Sequence, residues 1–320
     1  MVITEMCRNL WVAVLMLSIP GEVFWPYFSG ILVLCLGVAT RTASAEFRAA
    51  RGIENFALMA PVYFAVAVAV FGADHLTAAR FVALIVPPWM PAKLFWAYFV
   101  GFALIAAALS LATNILSRIA ATLLGIMILL FVLTIHLPNW MKTPGMNVQL
   151  TILLRDTALS AGALAFGISG RDREGQKQRR LKLEALAPRL IAACRVAIAV
   201  TLTVFGIDQL LNPNFAPGIP QENLAVFVAM PAWIPAHAFW GRLTGAIFVI
   251  CALGILTRKY VRLAANVVGV TSLVLILFVY LPLTITKSAD VANGLNYLAI
   301  HFALAGSAFS FHLPRRGLRT

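Results

Sequence analysis

Arg155 and Asp156 interrupt an otherwise apolar run, TILLRDTALSAGALAFG, and are the residues whose placement most needs a chemical reason. An ionised side chain near the centre of a membrane helix costs at least ~2.5 kcal/mol, so it normally faces the protein interior and has a partner. Neighbours on a helix point about 100° apart, so at least one of the pair must reach another helix. Asp74, His75, Lys93 and His136 fall near the ends of other apolar runs in the same half of the chain. The expected arrangement has Asp156 facing inward and meeting His75, Lys93 or His136, as either a structural ion pair or a ligand or proton site.

Trp89 and Trp96 lie in and after the loop VPPWMP. They read as part of the aromatic belt at headgroup level. With Pro87 and Pro91 stiffening the loop, they also suit the apolar mouth of a site for a flat molecule such as a quinone. His75 and His136, at similar depth on different helices, invite a bis-histidine haem. A histidine near the interface is well solvated without a ligand, so quinone is preferred to haem. The histidines show no HxxxH or HExxH spacing, and Cys7, Cys35, Cys194 and Cys251 stand singly, so no metal site is expected.

The elements that must position these residues come from a repeat. VPPWMPAKLFWAYFVG, Val86 to Gly101, returns as MPAWIPAHAFWGRLTG, Met230 to Gly245, and the register holds to Leu137-Pro138 and Leu281-Pro282, with about a third of positions identical. Upstream, FGAD ending at Asp74 is matched by FGID ending at Asp208. The second copy carries Asp208, Gln209, His237, Tyr280, Ala299 and Ile300 at the positions of the first copy's polar residues, with His301 one step beyond Ile300.

Sixty-one per cent of the 320 residues are apolar and 12% charged, a composition far from that of a soluble domain. Apolar runs near residues 55–74, 93–113, 116–137, 150–169, 190–211, 237–256, 260–281 and 294–311 are about as long as a helix needs to cross a bilayer. They are continuous rather than alternating, which favours helices over a barrel. The expected fold is therefore an all-α membrane protein of two tandem four-helix bundles, eight spans in all. Phe24 to Ala39 supplies an additional N-terminal span, since no small-x-small cleavage site follows the short run from Leu10 to Ile19. The domain boundaries are an N-terminal segment 1–50, a first module 51–170, a basic linker 171–188 and a second module 189–314.

The net charge of +13 would suggest nucleic acid in a soluble chain. Here Arg41, Arg48, Arg51, Arg118, the linker around Lys177, Arg258, Lys259, Arg262, Arg315, Arg316 and Arg319 all fall on one side of the span model, whereas the opposite loops carry only Arg80, Lys93, Lys142 and Lys287. The positive-inside rule makes the basic side, with linker and C-terminus, cytoplasmic, and the partner is the lipid bilayer rather than nucleic acid.

Four spans, an FGxD helix end, a PxWxP loop leading into Phe-Trp, an early helix-two glycine (Gly101, Gly245) and a Tx4R turn (Thr113 to Arg118, Thr257 to Arg262) make each copy resemble the DoxX-like (DoxX/DoxD) membrane proteins. The second copy adds LNPNFAPGIP, Leu211 to Pro220, an outer-loop insertion typical of that group. The resemblance implies a bacterial-type inner-membrane protein tied to quinone-dependent redox chemistry, with other membrane redox subunits as partners. Leu104 and Phe248 stand where many relatives have a glutamate. Whether the chain is itself an enzyme stays open, and the rival readings are a small-solute transporter and a non-catalytic membrane scaffold.

Overall fold

The computed structural model describes residues 20–145, 148–169, 181–219, 230–257, 259–286, 288 and 294–312. The linker around Lys177, together with Cys7, Arg258, Lys287, Arg315, Arg316 and Arg319, lies outside them.

Among the described residues nine long helices carry the fold: α1 (Gly21–Thr42), α2 (Ala60–Thr77), α3 (Lys93–Thr113), α4 (Ser117–Phe131), α5 (Val148–Ser169), α6 (Leu181–Leu211), α7 (His237–Leu256), α8 (Val261–Leu275) and α9 (Leu295–Phe309). Eight of the helical stretches are long and apolar enough to cross a membrane, α4 and α8 by running on to Lys142 and Thr286. This is an all-α, multi-pass membrane protein. The span expected over 55–74 is shifted: a short helix, Ile53–Leu58, ends before α2 begins at Ala60. Pro61 has no N–H and its ring opposes the carbonyl four residues back, so the helix restarts there. The helix expected over 294–311 is shorter, Leu295–Phe309, and is the most enclosed of the long helices.

The spacing of the sequence landmarks recurs in the backbone. Trp89 and Trp233 are 144 residues apart, and the same offset relates the starts of α3 and α7, both limits of α4 and α8, and the short helices Leu137–Lys142 and Leu281–Thr286. Ala92 and Ala236, one residue before α3 and α7, both take left-handed φ values, 51° and 54°. One π turn ends on His136 and the other on Tyr280, again at the same offset. Leu137 N–H donates to Val132 O, and Leu281 N–H to Ile276 O, five residues back. Pro138 and Pro282 follow at once, and each lacks the N–H that would bond Thr134 O or Phe278 O in a regular helix; the wider turn absorbs that loss.

The helices α2–α5 and α6–α9 are interleaved rather than set side by side. α2 packs on α3, α6 on α7, α4 on α5 and α8 on α9, but α5 also packs on α6, α9 on α2, and α5 and α9 on each other. The result is a ring of eight helices closed by exchange between the halves, with α5 and α9 touching near its centre. There a Cβ on Gly162 would lie 2.4 Å from Ser307 Cβ and 2.5 Å from its Cα. In lipid, helices associate through packing rather than water exclusion, and small residues let backbones approach this closely. α9 buries 13 of its 15 residues on α2, α5 and α8, and α2 is enclosed nearly as fully. α3, α4, α7 and α8 turn large apolar side chains outward, among them Phe99, Phe102, Leu123, Leu130, Ile250, Leu253 and Leu263, which is the surface hydrocarbon requires.

α1 is an addition to the ring, packed on α2 and α3. Ser29 Oγ donates to Ala69 O at 3.1 Å, and Tyr27 Oη to Thr284 O at 3.3 Å. At the opposite, basic end, Arg118 at the start of α4 donates to Gly167 O and Ile168 O at the end of α5, at 3.1 and 3.3 Å. A cation is favourable against the negative pole of a helix.

Candidate functional site

Asp156 lies eight residues into α5, roughly 12 Å along the helix from Val148. Its Oδ1 accepts from Arg155 Nε at 2.7 Å, and its Oδ2 stands 3.0 Å from His136 Nε2. The two neighbours diverge as helix geometry demands, yet the long Arg155 side chain bends back to share the carboxylate. His136 arrives from α4, and the π turn that ends on it sets its direction. The side chains of His136, Arg155 and Asp156 are 18%, 24% and 14% exposed, so the triad is shielded but reachable.

The remaining expected residues are distributed around this triad. Asp74, on α2, takes a side-chain hydrogen bond from Asn296 on α9, a contact between the halves. His75 turns back on its own helix, Nδ1 donating to Phe71 O at 2.7 Å, and packs over Gly101. Lys93 is half-buried as the first residue of α3 and has no hydrogen bond or ion pair among the described residues. Trp96 donates from Nε1 to Pro91 O at 3.0 Å and packs edge-on against Phe95 and Phe99. Trp89 is 70% exposed. Neither indole makes a hydrogen bond or ring contact with the triad among the described residues. Of the expected cluster, the fold joins His136, Arg155 and Asp156 and leaves His75, Lys93 and the two tryptophans apart from them.

The second half builds the same place with other residues. Tyr280 stands where His136 does, at the end of the second π turn, and its ring stacks on His301 with centroids 3.8 Å apart. His301, not Ile300, is thus the counterpart of Asp156. The correction is one residue of register: Gly125 faces Leu164 while Gly269 faces Phe309, and Gly162 faces Ser307, so α5 and α9 are related by 145 residues where the Trp and Pro landmarks are related by 144. The connection before α9 has absorbed an insertion that the Trp and Pro landmarks upstream do not reveal. Asp208 and Gln209, counterparts of Asp74 and His75, are buried, and Gln209 Nε2 donates to Phe215 O at 3.3 Å.

Tyr297 joins the two places. It stacks on Tyr280 at 6.5 Å between centroids, and its phenol lies within electrostatic reach of Arg155. Asn296 and Tyr297 were not singled out in the sequence. They adjoin the first apolar residues of α9, where an amide or phenol looks like an ordinary interfacial residue, and the packing of α9 against the first half brings Asn296 to Asp74 and Tyr297 near Arg155. Leu104 and Phe248, at the position where a glutamate was noted as missing, are buried in the core. They belong to packing, not to the polar cluster.

No family model matches the chain, and no curated protein or solved structure matches it either. Among the described residues no three His, Cys, Asp or Glu side chains gather as a metal site, and Cys35, Cys194 and Cys251 are unpaired thiols. What the geometry offers chemically is an imidazole and a guanidinium sharing one carboxylate inside an apolar bundle. Such a group can donate a hydrogen bond to a carbonyl, pass a proton, and hold negative charge.

Proposed function

We propose that the protein is a quinone-interacting subunit of a membrane redox system, of the DoxX-like kind, seated in a bacterial-type inner membrane with its basic end in the cytoplasm. The observation that carries this reading is the His136–Asp156–Arg155 triad, partly accessible and inside two membrane-spanning helices. A quinone is apolar, reaches its site through the bilayer, and presents carbonyl oxygens that accept hydrogen bonds; its reduction consumes two electrons and two protons. His136, held through Nε2 by Asp156, gives one proton from its other ring nitrogen, Nδ1; solvent water gives the second and reprotonates the ring, while Asp156 orients it and Arg155 balances the carboxylate's charge. The electrons come from a partner subunit, as the family resemblance implies. Against a solute carrier with a site between the repeats stands the packing of Gly162 on Ser307, which fills the contact between α5 and α9.

The test is ligand-induced thermal stabilisation of the purified protein by a short-tailed quinone, for wild type and Asp156→Asn. Stabilisation of wild type that is lost in Asp156→Asn is expected. Equal stabilisation of both makes Asp156 a structural residue and removes the triad from the ligand site.

A further inference from the structure

The second half's counterpart of the triad is not empty of partners: its own chain reaches into it. The loop between α6 and α7 is ten residues longer than the loop between α2 and α3, judged from the FGxD and Trp landmarks. Part of the extra length folds inward, so that Ala216, Pro217, Gly218 and Ile219 are buried. Pro217 O accepts from Tyr280 Oη at 2.8 Å. Gly218, with φ +118°, sits so close over His301 that a Cβ would lie 2.4 Å from Nε2. Tyr280 and His301 are 1% and 0% exposed, against 18% and 14% for the side chains of His136 and Asp156.

The fit is incomplete in an informative way. His301 Nδ1 is 2.8 Å from Tyr297 O, and a carbonyl only accepts, so the proton is on Nδ1 and Nε2 presents a lone pair. That lone pair is fully buried and has no hydrogen-bond partner among the described residues. An unmet acceptor at such depth carries a desolvation cost. Side by side, then, the pocket presents a phenolic donor and an imidazole acceptor. A peptide carbonyl satisfies the first and cannot satisfy the second. A hydroxyl on a planar ring does both, accepting from Tyr280 and donating to His301.

We propose that Pro217 and Gly218 are a tethered occupant of a second ligand site, formed by Tyr280 and His301, whose external ligand is a planar ring bearing a phenolic or quinol hydroxyl. The chain thus has one reachable site, at His136, and one occupied by its own loop. The choice of a quinol among such rings rests on the function proposed above; the donor and acceptor pattern does not.

The experiment counts bound equivalents of a short-tailed benzoquinol on the full-length protein by equilibrium dialysis. Three chains are compared: wild type, a deletion of residues 211–220 that equalises the two loops, and that deletion combined with His301→Leu. One equivalent more than wild type is expected for the deletion, and its loss on adding His301→Leu. A folded deletion chain that binds no more than wild type overturns the proposal. Wild type binding none, with the deletion binding one, refutes the function proposed for the first half while leaving this site standing. Should the deletion not fold, Gly218→Val takes its place, read together with diethylpyrocarbonate modification of His301. His301 newly modified and one added equivalent support the tethered occupant. His301 modified without added binding overturns it, and so does a His301 that stays protected, because the contact over Gly218 would then not exist.

Discussion

Replacing Asp156 by asparagine keeps the shape of the side chain and an oxygen for His136, and removes only the charge. Two contacts feel it, Arg155 Nε at 2.7 Å and His136 Nε2 at 3.0 Å. Hydrogen bonds to a charged partner contribute about 1.5–3 kcal/mol and neutral ones about 0.5–1.5, so the two contacts together lose roughly 2–3 kcal/mol. Arg155 recovers part of this, since its side chain is 24% exposed and can swing toward the headgroups. A net loss of about 2 kcal/mol remains, near a 30-fold change in the folded ratio. Asp156→Ala removes the acceptor as well and should cost about 3–5 kcal/mol. Arg155→Met should restore stability to Asp156→Asn by removing the orphaned cation, while being harmful by itself. Equilibrium unfolding in mixed detergent micelles measures wild type, the three single variants and the Arg155→Met/Asp156→Asn double variant. If Asp156→Asn lies within about 0.5 kcal/mol of wild type, or Arg155→Met and Asp156→Asn are additive, the triad is not a coupled unit and the reasoning fails.

Gly162→Val should force α5 and α9 apart, because even a Cβ meets Ser307 at 2.4 Å; a loss of about 1–3 kcal/mol or more is expected from overpacking, read as a lower thermal midpoint, with Gly162→Ala intermediate. Pro138→Ala supplies the N–H that the π turn accommodates lacking, so the turn should relax and the coupling between His136 and Asp156, measured by a double-mutant cycle, should fall toward zero. A cysteine placed at Lys177 should resist an impermeant thiol reagent in intact cells, and one placed at Trp89, which is 70% exposed, should react; the reverse pattern inverts the proposed orientation.

Much of the fold was legible in the sequence because its signals are local. A bilayer imposes length and apolarity on every span, so helices such as Lys93–Thr113 and His237–Leu256 begin where the apolar runs were placed. Proline acts on its own turn, and the Leu-Pro pairs mark the ends of the two π turns. The pairing of Asp156 with a residue on another helix was also predictable, since an unpartnered charge is too costly in a membrane helix. Which residue would answer was not: His75, Lys93 and His136 were equal candidates until the π turn aimed His136 and the backbone of α2 took His75.

The sequence by itself determined an all-helical membrane protein, the 144-residue register of its landmarks, and the presence of one intramembrane ion pair in need of partners. Tertiary structure alone decided that α5 and α9 each pack against helices of both halves, that His301 rather than Ile300 is the counterpart of Asp156, that Asn296 reaches Asp74 in the first half, and that the longer loop turns inward at Pro217 and Gly218. The reason is one of distance along the chain. Hydropathy and proline geometry act within a turn or a span, whereas these contacts join helices far apart in sequence, whose approach depends on small residues such as Gly162 and Ser307 meeting with no room to spare.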